Sequence, residues 1–376
     1  MPYVWQHESW PTLVWQDERL INAIGQTRLA QGKLLSKVQA LGIELNREAQ
    51  AEILTEETIK TAAIEGENLD RNSVRSSVAK RLGLPTAGLP QAARHIDGLV
   101  EVLLDATAHY DKPLTAQRLK GWQAALFPTG FSGLRRIRVG EWRGPEPMQV
   151  VSGPPGRETV HFEAPPFERI EEEMEKFFTW WQESQGKIEG MLRAGMAHFR
   201  LITLHPFEDG NGRIARALTD MALAQDERMG QRFYSLSRRI MTERSDYYNV
   251  LEHHQKGNGD ITGWLLWFLE CVQRAVRESQ DLIAGVLVKA AFWQKHAQIP
   301  MTHLQRKVIN RMLDAAPNGF AGGLTTRKYV SMAKVSRATA YREISHLVKN
   351  GILAPNPGKG RNISYHLVIE EQTDLL

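Results

Sequence analysis

The segment from His205 to Arg216 holds a histidine, an aspartate, two glycines around an asparagine and two arginines within twelve residues. Gly210 and Gly212 let the backbone approach a ligand closely and turn N–H groups toward it. The residues from Gly212 onward predict a helix, whose N-terminus attracts phosphate. On that helix Arg213 and Arg216 share a face, so both guanidinium groups can bind neighbouring phosphate oxygens.

Two further side chains of the segment suit a nucleotide polyphosphate. Asp209 offers a hard oxygen ligand for the Mg²⁺ that accompanies such a nucleotide, and His205 can take a proton from a hydroxyl near neutral pH. The residues together indicate transfer of a phosphorus-centred group from a nucleotide. Other motifs fit less well, because no β-α-β unit surrounds the glycines, no Gly-Lys-Ser/Thr is present, and Pro206 biases His205 out of a helix.

The segment resembles the signature of the Fic family, His-Pro-Phe-x-Asp/Glu-Gly-Asn-Gly-Arg-x-x-Arg, at every specified position. The resemblance implies an all-α protein whose Fic core transfers AMP from ATP, with Mg²⁺ as cofactor, to a Ser, Thr or Tyr hydroxyl of a target protein. It implies that His205 is the catalytic base and Asp209 the metal ligand. We expect Phe207 to anchor the loop in the core. The resemblance implies nucleotide binding by Asp209, Gly210, Asn211, Gly212, Arg213 and Arg216.

A β-hairpin is predicted before the motif. Two short apolar runs, residues 148–151 and 160–162, flank a Gly- and Pro-rich turn at residues 152–157. Fic cores carry a similar hairpin, the flap, which lines the site and pairs with a target segment by strand addition. The resemblance therefore implies a flap role for Val160, His161, Phe162 and Glu163, and the alternative is a surface hairpin with no role in the site.

The segment Thr61-Ala-Ala-Ile-Glu65-Gly66 ends a predicted helix and resembles the inhibitory motif Ser/Thr-x-x-x-Glu-Gly/Asn that precedes some Fic cores. The resemblance implies that Glu65 pairs with Arg216 and so removes a phosphate ligand, while Thr61 steadies the helix. The alternative is an ordinary solvated glutamate near a helix C-terminus, although a carboxylate there opposes the helix dipole.

Tyr247 and Tyr248 follow the motif helix and resemble the tyrosine pair that lines the adenine pocket of Fic cores. Tyr248 is the better candidate for stacking on a base. For both residues the alternative is packing within a helix.

Composition limits the remaining possibilities. A chain of 376 residues can form two or three domains, and its 42% hydrophobic residues are typical of a globular protein. No apolar stretch reaches the ~18 residues of a membrane span, and the N-terminus lacks a signal segment. Cys271 is the single cysteine and is expected to be a buried thiol, so we expect a reduced, cytoplasmic setting without disulfides.

Helical periodicity dominates the chain. We expect Asn46 to cap the second helix and Gly66 to end it. The helices predicted before the motif are residues 20–41, 47–65, 72–82, 91–110, 114–126 and 167–185.

The last 90 or so residues resemble a winged helix by pattern. Helices are predicted at residues 304–313, 325–333 and 337–350, with Ser336 as N-cap of the third and a basic turn at residues 357–361 as the wing. Such a domain binds DNA or, as an equal alternative, makes protein contacts including a homodimer. The candidate DNA contacts are Arg337, Thr339, Arg342, Lys359 and Arg361.

These patterns predict three parts: an N-terminal helical regulatory region (1–112), a Fic core (113–283) and a winged-helix domain (284–376). The leading hypothesis is a self-inhibited protein adenylyltransferase. The alternatives are an enzyme of the same fold that removes AMP from a modified protein, and a DNA-binding regulator whose Fic core senses a nucleotide.

Overall fold

The computed structural model describes residues 2–86, 88–153, 157, 159–315, 320–357 and 363–369. The chain divides into two compact units, residues 1–279 and 280–376. The described residues are mostly helical, which confirms the predicted all-α class. Our division into three parts stays a prediction. None of the described helices combines the length and apolar character needed to cross a membrane.

The first unit is built from helices joined by short loops, with two small antiparallel strand pairs. Before the motif its helices are α1 (Asp17–Gln39), α2 (Ile43–Ile64), α3 (Arg71–Leu82), α4 (Arg94–Ala108), α5 (Ala116–Leu126), α6 (Ile170–Ser184) and α7 (Gly190–Leu204). After it come α8 (Asn211–Glu227), α9 (Leu236–Thr242), α10 (Arg244–Gln255) and α11 (Thr262–Lys295). The strands are β1 (Phe131–Ser132), β2 (Arg135–Arg136), β3 (Gln149–Ser152) and β4 (Thr159–Glu163).

Helices α7 and α8 form the centre of this unit. Residues 191–204 of α7 and 213–224 of α8 are buried throughout, as expected for helices that neighbours surround on all sides. The loop that joins them, residues 205–210, is the first half of the motif. The motif therefore lies at one end of the most rigidly packed helix pair in the unit.

Helix α2 begins earlier than predicted. The expected N-cap, Asn46, lies inside the helix, and Gly42 is the residue that precedes its first turn. No helix-breaking residue separates Ile43 from Asn46, so the helix extends back to the glycine. Its end agrees with the prediction, because Gly66 has a φ of 87° that stops the helix.

Glu57 anchors the middle of α2. Its buried carboxylate accepts a hydrogen bond from Ser235 Oγ at 2.8 Å and another from the backbone N–H of Ser237 at 3.0 Å. The Ser237 hydroxyl donates to it as well. These donors lie at the start of α9, where the helix dipole favours a negative charge. Glu57 thus fixes α2 to the body of the unit.

The second unit contains α12 (His303–Leu313), α13 (Thr326–Ala333), α14 (Arg337–Lys349) and an antiparallel pair, β5 (Leu353–Pro355) and β6 (Tyr365–Leu367). Tyr329, Ile344 and Leu347 are buried in its core. Ser336 caps α14 as predicted, because its Oγ accepts from the Thr339 N–H at 3.2 Å. Identification of this unit as a winged helix stays a prediction.

Two helical glycines give opposite predictions for stability. A Cβ on Gly98 of α4 would lie 1.9 Å from the carbonyl oxygen of Ala125 in α5, whereas a Cβ on Gly121 of α5 would meet nothing within 4 Å. Gly98→Ala should lower the free energy of unfolding by about 1–3 kcal/mol through overpacking. Gly121→Ala should raise it by roughly 0.5–1 kcal/mol through helix propensity. Urea unfolding of both variants checks this, and equal effects would contradict the close α4–α5 contact.

Candidate active site

His205 ends α7 in the left-handed region, with φ 50° and ψ 55°. Such a conformation is uncommon for a residue other than glycine and persists only where neighbours fix it. Arg143 fixes it here. Its Nε donates to the His205 carbonyl oxygen at 3.0 Å, and its backbone N–H donates to the Pro206 carbonyl oxygen at 2.8 Å. The Arg143 guanidinium also bonds the carbonyl oxygen of Pro165, at the end of the flap.

The His205 ring is set up to accept a proton. Its Nδ1 lies 3.2 Å from the carbonyl oxygen of Ile202, which can only accept, so Nδ1 carries the hydrogen in this contact. Burial lowers the pKa of His205 below its ordinary value, although the Ile202 contact opposes this. The neutral ring therefore keeps a free lone pair on Nε2.

Asn211 holds the motif loop in shape. Its Oδ1 accepts from the Phe207 N–H at 3.0 Å, and its Nδ2 donates to the Phe207 carbonyl oxygen at 2.7 Å. Both ends of the amide are thus used, and the side chain is buried. The Asn211 side chain thus fixes the loop, and the expected part of this residue in nucleotide binding stays a prediction. Phe207 is fully buried, which confirms its predicted place in the core.

Asp209 is the candidate metal ligand and remains partly exposed. Its Oδ1 accepts from the Gly210 N–H at 2.5 Å, and the Ser132 hydroxyl donates to its Oδ2. Among the described residues, no three His, Cys, Asp or Glu side chains come together as a metal cage. A single oriented carboxylate fits Mg²⁺, which is commonly held by one or two carboxylates together with water and substrate phosphates.

Both motif arginines lie in α8, close to its N-terminus. The Arg213 guanidinium lies over the Phe127 ring at 4.9 Å, with Glu67 Oε2 3.6 Å from its Nη1 and Asp209 Oδ1 3.7 Å from its Nη2. Its buried Nε has no hydrogen-bond partner within the described part of the chain. Arg213 therefore has donor capacity left for a ligand.

Arg216 binds the end of α2 through two of its three guanidinium nitrogens. Its Nε donates to Thr61 Oγ1 at 2.6 Å, and its Nη2 donates to the Thr61 carbonyl oxygen at 3.0 Å and to Glu65 Oε1 at 2.7 Å. Burial opposes the charge, yet the Glu65 carboxylate raises the pKa of Arg216 above its ordinary value. The pair of Glu65 with Arg216 that the sequence predicted is present, and Thr61, which was expected to steady the helix, binds Arg216 as well.

The contact between Glu65 and Arg216 requires a glycine at position 212. A Cβ at this position would lie 2.2 Å from Glu65 Oε1 and 3.2 Å from the Arg216 guanidinium. The Glu65 carboxylate thus lies directly over the first turn of α8, where unpaired backbone N–H groups attract anions. Gly210 takes φ 91° at the N-cap, a conformation that favours glycine.

The two tyrosines occupy different environments. Tyr247 is buried, and its hydroxyl lies 2.9 Å from Nε2 of His198. Burial lowers the pKa of His198 to about 3, so this histidine is neutral and accepts from the tyrosine. Tyr248 is 37% exposed and packs beside Tyr247, with ring centroids 5.0 Å apart. Tyr247 therefore packs in the core and Tyr248 is the more accessible ring, while contact of either residue with a nucleotide stays a prediction.

The predicted flap is present as β3 and β4, although Pro154, Pro155, Gly156 and Glu158 of its turn lie outside the described residues. Phe162 is buried against Trp5, whose Nε1 donates to the Glu163 carbonyl oxygen at 2.7 Å. His161 lies 2.8 Å from Glu252 Oε2 of α10 and 2.6 Å from Ser152 Oγ. Val160 is exposed. The base of the flap is therefore anchored, and its outer part is free to contact a partner.

Several residues that shape the site had no signal in the sequence. Arg143, Ser132, Glu67 and His198 lie outside the motif, and each acts across a contact between distant segments. The β1–β2 pair that carries Ser132 was not predicted either, because its strands have two residues each. For Glu67 a weak signal existed, since it is a second carboxylate directly after the inhibitory motif.

The candidate DNA contacts lie in the second unit. Arg337 and Arg342 are exposed on α14. The Thr339 Oγ1 lies 2.9 Å from Ser336 Oγ in the helix cap, and its contact with DNA stays a prediction. Lys359 and Arg361 lie outside the described residues.

Comparison with known proteins assigns two regions of the chain. The Fic/DOC family matches residues 113–223, which include the flap and the motif, and a domain of unknown function (DUF4172) matches residues 3–84. A protein adenylyltransferase Fic from Nematostella vectensis is 32% identical over 110 residues, 29% of this chain and 24% of that protein. A uridine 5'-monophosphate transferase from Xanthomonas campestris pv. campestris is 37% identical over 121 residues, 30% of this chain and 21% of that protein. The chain thus spans about a quarter of the length of these curated relatives.

Solved structures share the fold. A Fic family protein from Desulfovibrio desulfuricans G20 superposes with a TM-score of 0.51 at 18% identity, over 94% of this chain and 97% of that chain. A Fic domain-containing signaling protein from Bacteroides thetaiotaomicron superposes with a TM-score of 0.53 at 20% identity, over 69% of this chain and 98% of that chain. Together with the complete motif and its geometry, these findings show that the chain carries a Fic/DOC-family domain over residues 113–223.

Proposed function

We propose that this protein is a nucleotidyltransferase that moves AMP from ATP onto a hydroxyl side chain of a target protein, and that Glu65 holds it in a self-inhibited state. The observation that carries the proposal is the meeting of three groups at the start of α8. These are a neutral His205, the partly exposed carboxylate of Asp209, and the two arginines of the motif. Two of the relatives described above are named as transferases of nucleoside monophosphates.

In the proposed reaction the target hydroxyl oxygen attacks the α-phosphorus of ATP. The bond from that phosphorus to the β-phosphate oxygen breaks, and pyrophosphate leaves. His205 Nε2 takes the hydroxyl proton, while Arg213, a freed Arg216 and the first N–H groups of α8 hold the phosphates in line. When bound at Asp209, Mg²⁺ would neutralise charge on the phosphates. The exposed part of the flap, around Val160, would align the target strand.

Self-inhibition follows from the position of Glu65. Two of the three guanidinium nitrogens of Arg216, Nε and Nη2, are not available to a phosphate while they are bonded to Thr61 and Glu65. The Glu65 carboxylate also lies within the space over Gly212 and repels an incoming anion. Removal of AMP from a modified target is the alternative direction, with Glu65 orienting the attacking water.

Loss of the base gives the direct test. His205→Ala should reduce labelling of the protein or its target by ~10²–10⁴-fold, because a general base typically contributes that much. ATP binding should stay largely intact, since His205 is a proton acceptor and not a phosphate ligand. Mass spectrometry after incubation with Mg·ATP measures the label, and calorimetry measures the binding. Equal labelling by wild type and variant would refute the assignment.

The pH dependence follows from the lowered pKa of His205. A base must be unprotonated, and a lowered pKa keeps the ring neutral further into the acid range. The single-turnover labelling rate should therefore stay level as the pH falls to about 6.5, the ordinary histidine pKa, and decline only below it. A pH–rate profile of the Glu65→Gly variant measures this. A midpoint of the pH–rate profile above 6.5 would contradict burial as the dominant influence on the pKa of His205.

Release of the inhibitory contact should activate transfer. Glu65→Gly should raise self-labelling by roughly 10–100-fold, the range for a hydrogen bond to a charged group, because Arg216 becomes available to phosphate. Adding Arg216→Ala should abolish that gain, and the two effects should be strongly non-additive. If Glu65→Gly instead slows removal of AMP from a labelled target, the alternative direction is the reaction of this protein.

Charge distribution favours a second candidate function, DNA binding by the C-terminal unit. Residues 280–376 contain 13 Lys and Arg against 6 Asp and Glu, a net charge of +7, whereas the rest of the chain is net negative. Arg337 and Arg342 are exposed on α14 together with Tyr341. Such a helix with a basic face can enter a DNA groove.

The DNA proposal is tested by substituting Arg337 and Arg342 together with alanine. Binding to a pool of genomic fragments should weaken, and the slope of log affinity against log salt should flatten by about 0.9 for each lost phosphate contact. Arg311→Ala, on the exposed side of α12, serves as control. No mobility shift by wild type at low salt would favour the protein-contact alternative.

A further inference from the structure

A second carboxylate lies beside the other motif arginine. Glu67 follows Glu65 by two residues, and its Oε2 is 3.6 Å from Nη1 of Arg213. Its Oε1 is 3.4 Å from Nε2 of His95 on α4. The two phosphate-binding arginines of the motif thus each face one carboxylate from the segment that ends α2.

The backbone fixes Glu67 in this place. Gly66 takes the left-handed conformation, and the Glu67 N–H then donates to the Ala62 carbonyl oxygen at 3.0 Å. This is the hydrogen bond that closes a helix ended by a glycine. It turns the chain back, so that Glu65 and Glu67 approach α8 from either side of Gly66. A residue other than glycine at position 66 would strain this turn.

We propose that Glu67 is a second inhibitory carboxylate, which occupies Arg213 as Glu65 occupies Arg216, so that the pair stands in for two phosphate groups. This inference rests on the proposed role of both arginines as phosphate ligands. Arg213 is nearly buried against Phe127, and its other carboxylate neighbour, Asp209, is the candidate metal ligand. Glu67 is therefore the carboxylate near Arg213 that has no assigned part in the reaction.

The two carboxylates should differ in strength. The Glu65 contact is a 2.7 Å charge-assisted hydrogen bond to a guanidinium that is 1% exposed. The Glu67 contact is longer, at 3.6 Å, and the Arg213 side chain is 10% exposed, so water screens this pair more. Removing the charge of Glu67 should change phosphate affinity by about two- to fivefold, the usual range for such pairs. Removing that of Glu65 should change it by tenfold or more.

Inorganic tripolyphosphate with Mg²⁺ is the suitable probe, because it needs neither a base pocket nor catalysis. Calorimetry on the full chain should show about two- to fivefold tighter binding by Glu67→Gln than by wild type. Glu44→Gln, on the exposed first turn of α2, is the matched control and should bind as wild type does. Unchanged affinity of Glu67→Gln would overturn the proposal.

A double-mutant cycle identifies the partner. Arg213→Met keeps the apolar stem that packs on Phe127 and removes the charge, so Glu67→Gln should have no effect in that background. In Arg216→Met the effect of Glu67→Gln should persist. An effect of Glu67→Gln that survives in Arg213→Met would overturn the proposed pair.

The cycle separates this inference from the proposed reaction. If the double-mutant cycle shows the Glu67–Arg213 pair but no nucleotide labels any protein, the transferase proposal fails. The inhibitory role of Glu67 at a phosphate site then still stands. If neither wild type nor Glu67→Gln binds tripolyphosphate, the phosphate role of Arg213 fails and this inference fails with it.

Discussion

The structure depends on a positive charge held in its interior. Arg216 is buried in the central helix α8, and a buried charge is tolerated only when it is paired and hydrogen-bonded. Thr61 and Glu65 supply the partners, and both come from α2, more than 150 residues earlier in the chain. The N-terminal helix α2 therefore supplies the hydrogen-bond and charge partners that the buried Arg216 requires. Residues 1–279 form one compact unit, although family comparison assigns residues 3–84 and 113–223 to different domains.

The geometry of the base depends on a second arginine. Arg143 bonds the backbone of His205, Pro206 and Pro165, and so ties the motif loop to the end of the flap. The left-handed backbone at His205 directs its ring, and the Ile202 carbonyl oxygen selects the tautomer. Arg143 therefore orients His205, the motif loop and the end of the flap together.

Local patterns in the sequence predicted most helices, the flap, the cap at Ser336 and the Glu65–Arg216 pair. These features depend on periodicity, on turn residues or on a long motif, all of which are contained within short segments. The sequence did not predict the roles of Arg143, Ser132 or His198, because a lone polar residue far from the motif carries no sign of what it will contact. It did not predict the contacts that the Asn211 and Tyr247 side chains make within the protein, since the same side chains can bind a ligand or the protein's own backbone and core. The start of α2 was misplaced because an asparagine that suits a cap is tolerated inside a helix.

The buried contacts of Glu57 limit how α2 can move away from Arg216. Glu57, Thr61 and Glu65 are spaced four residues apart and face the same way, so a rigid displacement of the helix would break the buried Glu57 contacts together with the inhibitory ones. Unwinding only the last turn would release Thr61 and Glu65 and leave Glu57 in place. Helix ends open locally at far lower free energy than whole elements detach. Unwinding of this terminal turn would free Arg216 while the Glu57 contacts stay intact, and it would expose the buried side chains of Thr61, Ala62 and Ile64.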